Sequence, residues 1–266
     1  SVDVMNLKKT WNKKYGKSEI ITKDNSPCKN VEIDMVKLTK GDKKSYSEAD
    51  KEYGLLILNG KCTVEGATFK YDNVGERETV FEGNATCVYV PRNTDFTITA
   101  CGEVAIAVCK CPSTNDHKPA LIKPTDVTGK KLGKPGWVRH AMFILDERVE
   151  ADQIYIGEAW IDGGQWSSYP PHKHDDMNMP TEANTEEIYY FEFEKPQGFG
   201  IQKVYTMEGD IDETYTVKSG DFVEIPRGYH PYHSAPGYKS YMLWIMAGPI
   251  RGFYMTTDEE HKWLNN

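Results

Sequence analysis

Long stretches of a single character are missing from this chain. No apolar run approaches the ~20 residues that a membrane-spanning helix needs, and the opening "SVDVMNLKKTWNKKYG" has no apolar signal-peptide core. No long basic run occurs and the net charge is -8. The clustered basic face of a nucleic-acid binder is therefore absent. These gaps lead to the expectation of a protein with neither nucleic acid nor membrane among its partners. Paired cysteines at metal-ligand spacing are also lacking. The six cysteines are scattered, at Cys28, Cys62, Cys87, Cys101, Cys109 and Cys111. "CKC" at 109–111 has no second cysteine pair or histidine pair nearby to complete a zinc site. They read as buried free thiols of a cytoplasmic protein.

Extended helical periodicity is scarce as well, and short β-rich runs take its place. Among them are "YGLLILNG" (53–60), "TCVYVP" (86–91), "VAIAVCK" (104–110), "QIYIGEAWI" (153–161), "EIYYFEFE" (187–194), "DFVEIP" (221–226) and "YMLWIMAG" (241–248). With 39% apolar residues, 12% aromatics and turn formers between the runs, the chain predicts an all-β sandwich or barrel. Residues 112–136, rich in Pro, Lys, Gly and Thr, read as a connector between two β-rich halves, 1–111 and 137–266. The halves look related. "GDFVEIPRGYH" from Gly220 and "GNATCVYVPRN" from Gly83 share a glycine, a strand, a proline and an arginine, which suggests one architecture used twice. The first copy has no histidine after its proline, so its expected role is structural.

The chemistry concentrates in the second half. In "SSYPPHKHDD" (167–176), His172 and His174 stand two apart, so on an extended strand both imidazoles point to one side. Lys173, between them, points away. A carboxylate on a neighbouring strand would complete the set, and alternation chooses between Glu186 and Glu187. Glu187 shares its face with Tyr189, Phe191 and Phe193, where a carboxylate is costly unless paired or metal-bound. Glu186 shares its face with two more glutamates and is expected in water. After Pro226 the chain offers His230, behind a glycine, with His233 as competitor; His230 is preferred. Imidazole and carboxylate together suit a divalent metal, zinc first, with manganese and iron as alternatives.

A glycine, His-x-His, Glu and a downstream Gly-x5-Pro-x-Gly with a histidine just beyond resemble the metal site of the cupin superfamily. Twelve residues separate His174 from Glu187, more than in a typical cupin, which fits an inserted loop at 175–186. The blocks "GGQWSSYPPHKHD" (163–175), "EEIYYFEF" (186–193), "GFGIQKVYT" (198–206), "GDFVEIPRGYHP" (220–231) and "PGYKSYMLWIMAGPIRGF" (236–253) are similar to the 5-deoxy-glucuronate isomerase family of myo-inositol catabolism. That resemblance implies a cytoplasmic bicupin, two double-stranded β-helix (jelly-roll) barrels. The first would be a degenerate barrel over 1–111 and the second a metal-binding one over 137–266, with a homo-oligomer as an open possibility. It also implies a metal-dependent aldose–ketose isomerase that converts 5-deoxy-D-glucuronate to 5-dehydro-2-deoxy-D-gluconate. The alternatives are isomerisation of a related uronate, or an Fe(II) cupin oxygenase.

For the substrate's carboxylate a guanidinium fork is the best partner. Arg227, beside the last ligand loop, stands first, then Arg251 and Arg139, with Tyr229 nearby. For proton transfer, Tyr241 and Gln202 lead because they lie in the family-like blocks, while Tyr229, Lys203 and a metal-bound hydroxide stay open.

Overall fold

The structure, a computed structural model, describes residues 6–266. Almost all of its regular structure is antiparallel strand. Among the described residues, the first barrel has a large sheet in the order Ala120–Ile122, Thr86–Val90, Lys51–Asn59, Val104–Pro112, Glu32–Leu38, Gly16–Ile21. Its smaller sheet runs Lys43–Tyr46, Phe96–Ala100, Cys62–Gly66, Lys70–Val74. The second barrel repeats the plan. Its large sheet runs Lys8–Thr10, Asp221–Ile225, Glu186–Phe193, Ser240–Ala247, Ile154–Ile161, Arg139–Leu145, Thr128–Leu132. Its smaller one runs Trp166–Ser167, Tyr232–Ser234, Gly200–Tyr205, Asp212–Val217. This is the expected bicupin, a pair of jelly rolls.

Strand alternation produces three cores from these sheets. In the strand Lys51–Asn59, Tyr53, Leu55 and Ile57 point into the first barrel, against Cys62, Val64, Phe96 and Ile98. Leu56 and Leu58 point the other way, toward the second barrel. In Glu186–Phe193, Tyr189, Phe191 and Phe193 fill the second barrel while Ile188 and Tyr190 face the first. The large sheets thus pack back to back, and their central strands have no face in water. That is why they read as continuous apolar runs and not as alternating ones. Each buried Ile or Leu in the seam contributes about 1.5–3 kcal/mol, so the barrels hold together as one body. Gly54 shows how close they come: a Cβ there would lie 2.4 Å from Cδ1 of Ile156.

Three expectations change here. The segment 112–136 is not a bare connector: Ala120–Ile122 extends the first large sheet beside Thr86–Val90, and Thr128–Leu132 extends the second beside Arg139–Leu145. Residues Lys8–Thr10 pair with Asp221–Ile225 of the second barrel and do not stay in the first half. In each place a short strand covers a sheet edge that would otherwise leave backbone groups unpaired. Third, Glu186 is not solvated. Its face meets the other barrel, and its carboxylate accepts the backbone N–H groups of Lys29 and Asn30 at 2.8 and 2.6 Å. Charge alone had suggested a wet face, but sheet packing decides it.

Candidate metal centre

The two histidines of "PPHKHDD" enter the second barrel from a short strand, His172–Lys173, that pairs His172 with Thr257. His174 lies one residue past it. Glu187 is the second residue of the strand Glu186–Phe193, between Ile225 and Met246 of its neighbours. His230 follows a turn at Gly228, whose φ of +98° favours glycine and where a Cβ would lie 2.6 Å from the Tyr205 carbonyl oxygen. The turn swings His230 onto the His172–His174 pair. Ring centroids are 5.0 Å apart for His172–His230 and for His174–His230, and 6.2 Å for His172–His174. One nitrogen from each ring lies within 4.8 Å of the others. Nε2 of His174 and of His230 are 3.0 and 3.2 Å from the same Glu187 oxygen, Oε1.

Hydrogen bonds on the far side of the rings fix what faces inward. Nδ1 of His174 lies 2.8 Å from the Thr185 carbonyl, and Nδ1 of His230 lies 2.9 Å from the Gly228 carbonyl. A carbonyl only accepts, so each Nδ1 carries the proton and each Nε2 presents a lone pair when the ring is neutral. Nε2 of His230 is buried with no hydrogen-bond partner. With the rings neutral, two lone pairs and a carboxylate oxygen face one another, an arrangement that suits a cation between them. Burial alone would raise the Glu187 pKa, but His174 and His230 hold it down to about 2. For His174, burial is outweighed by the Glu187 carboxylate and the pKa rises. For His172, burial and the two neighbouring rings lower it. The donor set fits a divalent ion held by His172, His174, Glu187 and His230.

His172, His174 and Glu187 line a cavity of about 770 Å³, a size suited to a small metabolite. Its wall is aromatic: Phe143, Tyr155, Trp244 and Phe253 pack with centroids 5.3–5.8 Å apart, Tyr155 stacked on Trp244 and the other pairs edge to face. Trp244 lies across Gly157, where a Cβ would come within 1.9 Å of the indole. Hydroxyls also reach the cavity. Ser168 Oγ and Tyr189 Oη are 2.8 Å apart, and both residues line it with Glu187. The sequence reading missed this pair, although the alternation that singles out Glu187 also puts Tyr189 on its face.

The remaining candidates lie elsewhere or are engaged. Tyr241 belongs to the seam between the barrels, where its hydroxyl meets Glu158; its side of the strand faces away from the cavity. Gln202 is fully buried and gives its amide to the carbonyls of His230 and Pro231 at 2.9 and 3.2 Å. It supports the backbone of His230 from behind. Arg227 is paired on the surface with Asp210, and Tyr229 stacks on Tyr205. Arg251 lines the cavity, but its donors go to the carbonyls of Ile154, Val149 and Asp146. Arg139 also lines the cavity. His233 stacks on Trp166, apart from the three clustered rings. Lys173 turns outward into a cage of Asp175, Asp176 and Glu182.

The family model described as "KduI/IolB family" matches residues 7–264. A protein of Bacillus licheniformis named 5-deoxy-glucuronate isomerase is 40% identical over 246 residues, 92% of this chain and 91% of that protein. One of the same name from Geobacillus thermodenitrificans is 37% identical, over 92% and 89% of the two chains. Among solved structures, an IolB-like protein of Salmonella typhimurium superposes with a TM-score of 0.94 at 33% identity, covering 98% of this chain and 100% of that one. An oxalate decarboxylase of Lactobacillus farciminis superposes at 0.70 with 13% identity, covering 96% and 89%, a likeness of fold alone.

Proposed function

The chain belongs to the KduI/IolB family, and from that premise we propose that it is a metal-dependent aldose–ketose isomerase that converts 5-deoxy-D-glucuronate to 5-dehydro-2-deoxy-D-gluconate. One observation supports the metal-dependent part above others: the orphaned Nε2 of His230, aimed with His174 Nε2 at a single oxygen of Glu187. A divalent ion there, zinc before manganese or iron, supplies Lewis acidity toward a carbonyl and the neighbouring hydroxyl.

The chain's own residues do the rest. Thr185 and Gly228 hold two imidazoles in the ligating tautomer. The isomerisation moves a proton from C2 to C1 of the sugar through an enediol. Ser168 and Tyr189 are the hydroxyl pair beside Glu187 that can hold and relay it. Phe143, Trp244 and Phe253 give the cavity an apolar wall beside the reacting atoms. All six cysteines are free thiols, in keeping with a cytoplasmic enzyme of inositol catabolism.

Purified, metal-loaded protein incubated with 5-deoxy-D-glucuronate without oxygen should deplete the aldehyde proton signal in NMR. An unchanged aldehyde signal would sink this reading. Turnover that appears only with iron and consumes oxygen would favour the oxygenase instead.

A further inference from the structure

The chain has six arginines, and five have their donors engaged. Arg77, Arg92, Arg148 and Arg227 pair with Glu158, Asp116, Asp146 and Asp210, and Arg251 binds three carbonyls. Arg139 differs. It is partly buried and lines the same cavity as His172, His174 and Glu187. Only its Nη1 meets protein acceptors, the carbonyls of Trp137 and Tyr169, at long distances of 3.3 and 3.4 Å. Among the described residues no carboxylate pairs with it. Burial depresses its pKa, opposed only by Tyr189. A guanidinium withdrawn from water with one edge open is unfavourable until an anion meets that edge.

A second cation stands beside it. Lys130, on Thr128–Leu132, pairs in register with Ala141, and alternation puts Arg139, Ala141 and Phe143 on one face of the next strand. All four residues line the cavity. The Lys130 ammonium sits 5.5 Å from the centroid of the Phe143 ring and, among the described residues, has no carboxylate partner. Thus one hairpin gives the cavity that His172, His174 and Glu187 line two positive groups, neither of them within ion-pair distance of a carboxylate among the described residues.

We propose that this hairpin is the anion-recognising wall of the site, with Arg139 taking the sugar acid's carboxylate in a bidentate contact and Lys130 adding a second charge at the rim. The identity of the sugar acid rests on the isomerase reading; the anion subsite itself does not. In a hexuronate the carboxylate is the end opposite the reducing carbon. Fixing it on Arg139 leaves the aldehyde end to reach the imidazoles and makes the enzyme choose a uronate over a neutral aldose. The segment that reads as a connector in the sequence then carries a specificity determinant.

The test compares 5-deoxy-D-glucuronate with its C6 primary-alcohol analogue in Arg139→Met, Arg139→Lys and Lys130→Met. A charge-assisted contact is worth tenfold or somewhat more. Arg139→Met should therefore raise KM for the uronate about tenfold or more, with kcat nearly kept and KM for the alcohol unmoved. Arg139→Lys should fall between, and Lys130→Met should raise KM about threefold, as a rim charge does. A KM that does not move, or equal losses on both substrates, would overturn the proposal. Lys130 is exposed, so its variant tests the wall even where Arg139→Met misfolds. Should the wild type fail to isomerise the uronate, the isomerase reading falls alone. Calorimetric titration of the uronate then decides the subsite: binding that weakens without Arg139 supports it, and equal or absent binding in the wild type refutes it.

Discussion

Where the second barrel carries Glu187, the first carries Tyr53. Glu187 pairs with Ile225, the residue before Pro226, and Tyr53 pairs with Val90, the residue before Pro91. Around Glu187 stand three imidazoles and a cavity. Around Tyr53 stand Tyr46 and Phe96, with centroids 5.5 and 4.8 Å away, packed edge to face. The first 116 residues contain no histidine. One position earlier the barrels agree. Glu52 accepts the N–H groups of Asp152, Gln153 and Ile154 at 2.7–3.0 Å, just ahead of the strand Ile154–Ile161. Glu186 accepts those of Lys29 and Asn30, just ahead of Glu32–Leu38. Each barrel thus grips the other by a carboxylate in the same place. The face turned toward the partner barrel is therefore built alike in both copies, while the interior is closed by aromatic volume in one and opened for chemistry in the other. A jelly roll accepts either, because its stability comes mainly from sheet pairing and the shared seam, and the site is added to that frame.

The sharpest way to break this comparison is to disarm Glu187. With the metal go several kcal/mol of transition-state stabilisation, so Glu187→Gln or His174→Ala should lower kcat about a thousandfold or more. Elemental analysis should show the ion lost. Tyr53→Phe, at the matching position, should leave metal content and turnover unchanged. His233→Ala should also keep the ion; its loss there would overturn the ligand choice. Next in size is the seam. Arg77, from the first half, is 5% exposed and forks onto Glu158 of the second at 2.9 and 2.6 Å. Arg77→Met leaves a buried carboxylate unpaired and should cost about 3–5 kcal/mol in urea unfolding. Adding Glu158→Met should recover most of it. Smaller again, Tyr53→Ala empties the first barrel's interior and should cost about 3 kcal/mol. Tyr53→Phe should be within about 0.5 kcal/mol of neutral, since its buried hydroxyl has no partner.

Much of the second barrel is legible in the sequence because alternation is a local rule. His172 with His174, and Glu187 as opposed to Glu186, follow from which way side chains point, and the structure brings them together with His230. The seam is not legible. Tyr241 and Glu186 look polar and available until a second sheet lies over them, and nothing within their own strands announces that sheet. The arginines fail for a related reason. Arg227 is near His230 in sequence but points to Asp210 outside. Arg139 lies 33 residues before His172 in the chain and joins it in one cavity lining only when the barrel closes. Lys130 was hidden by composition, since a Lys- and Gly-rich stretch reads as linker even where its backbone completes a sheet.

The smallest expected effect separates two carboxylates that join the halves with opposite sign. Asp152 is partly desolvated, which would raise its pKa. His117 at 2.6 Å, the N–H groups of Asn115 and Thr114, and the Ser113 hydroxyl outweigh this and depress it below the ordinary 3.8. Its contribution to stability is complete above pH 3.8 and is lost as pH falls through the lower native value. Glu186 is the reverse. Burial raises its pKa above the ordinary 4.5 despite the N–H groups of Lys29 and Asn30. Its charge therefore weakens the fold as pH rises from 4.5 through the native value, and the penalty persists at neutrality. Asp152→Asn should flatten the loss of stability in acid, measured by urea unfolding between pH 5 and the lowest pH at which the wild type stays folded. Glu186→Gln keeps an oxygen that can accept from both amides, so at pH 7 it should be neutral or stabilising. Were Glu186→Gln to destabilise at pH 7 while Asp152→Asn left the acid limb unchanged, neither carboxylate would carry the sign assigned to it.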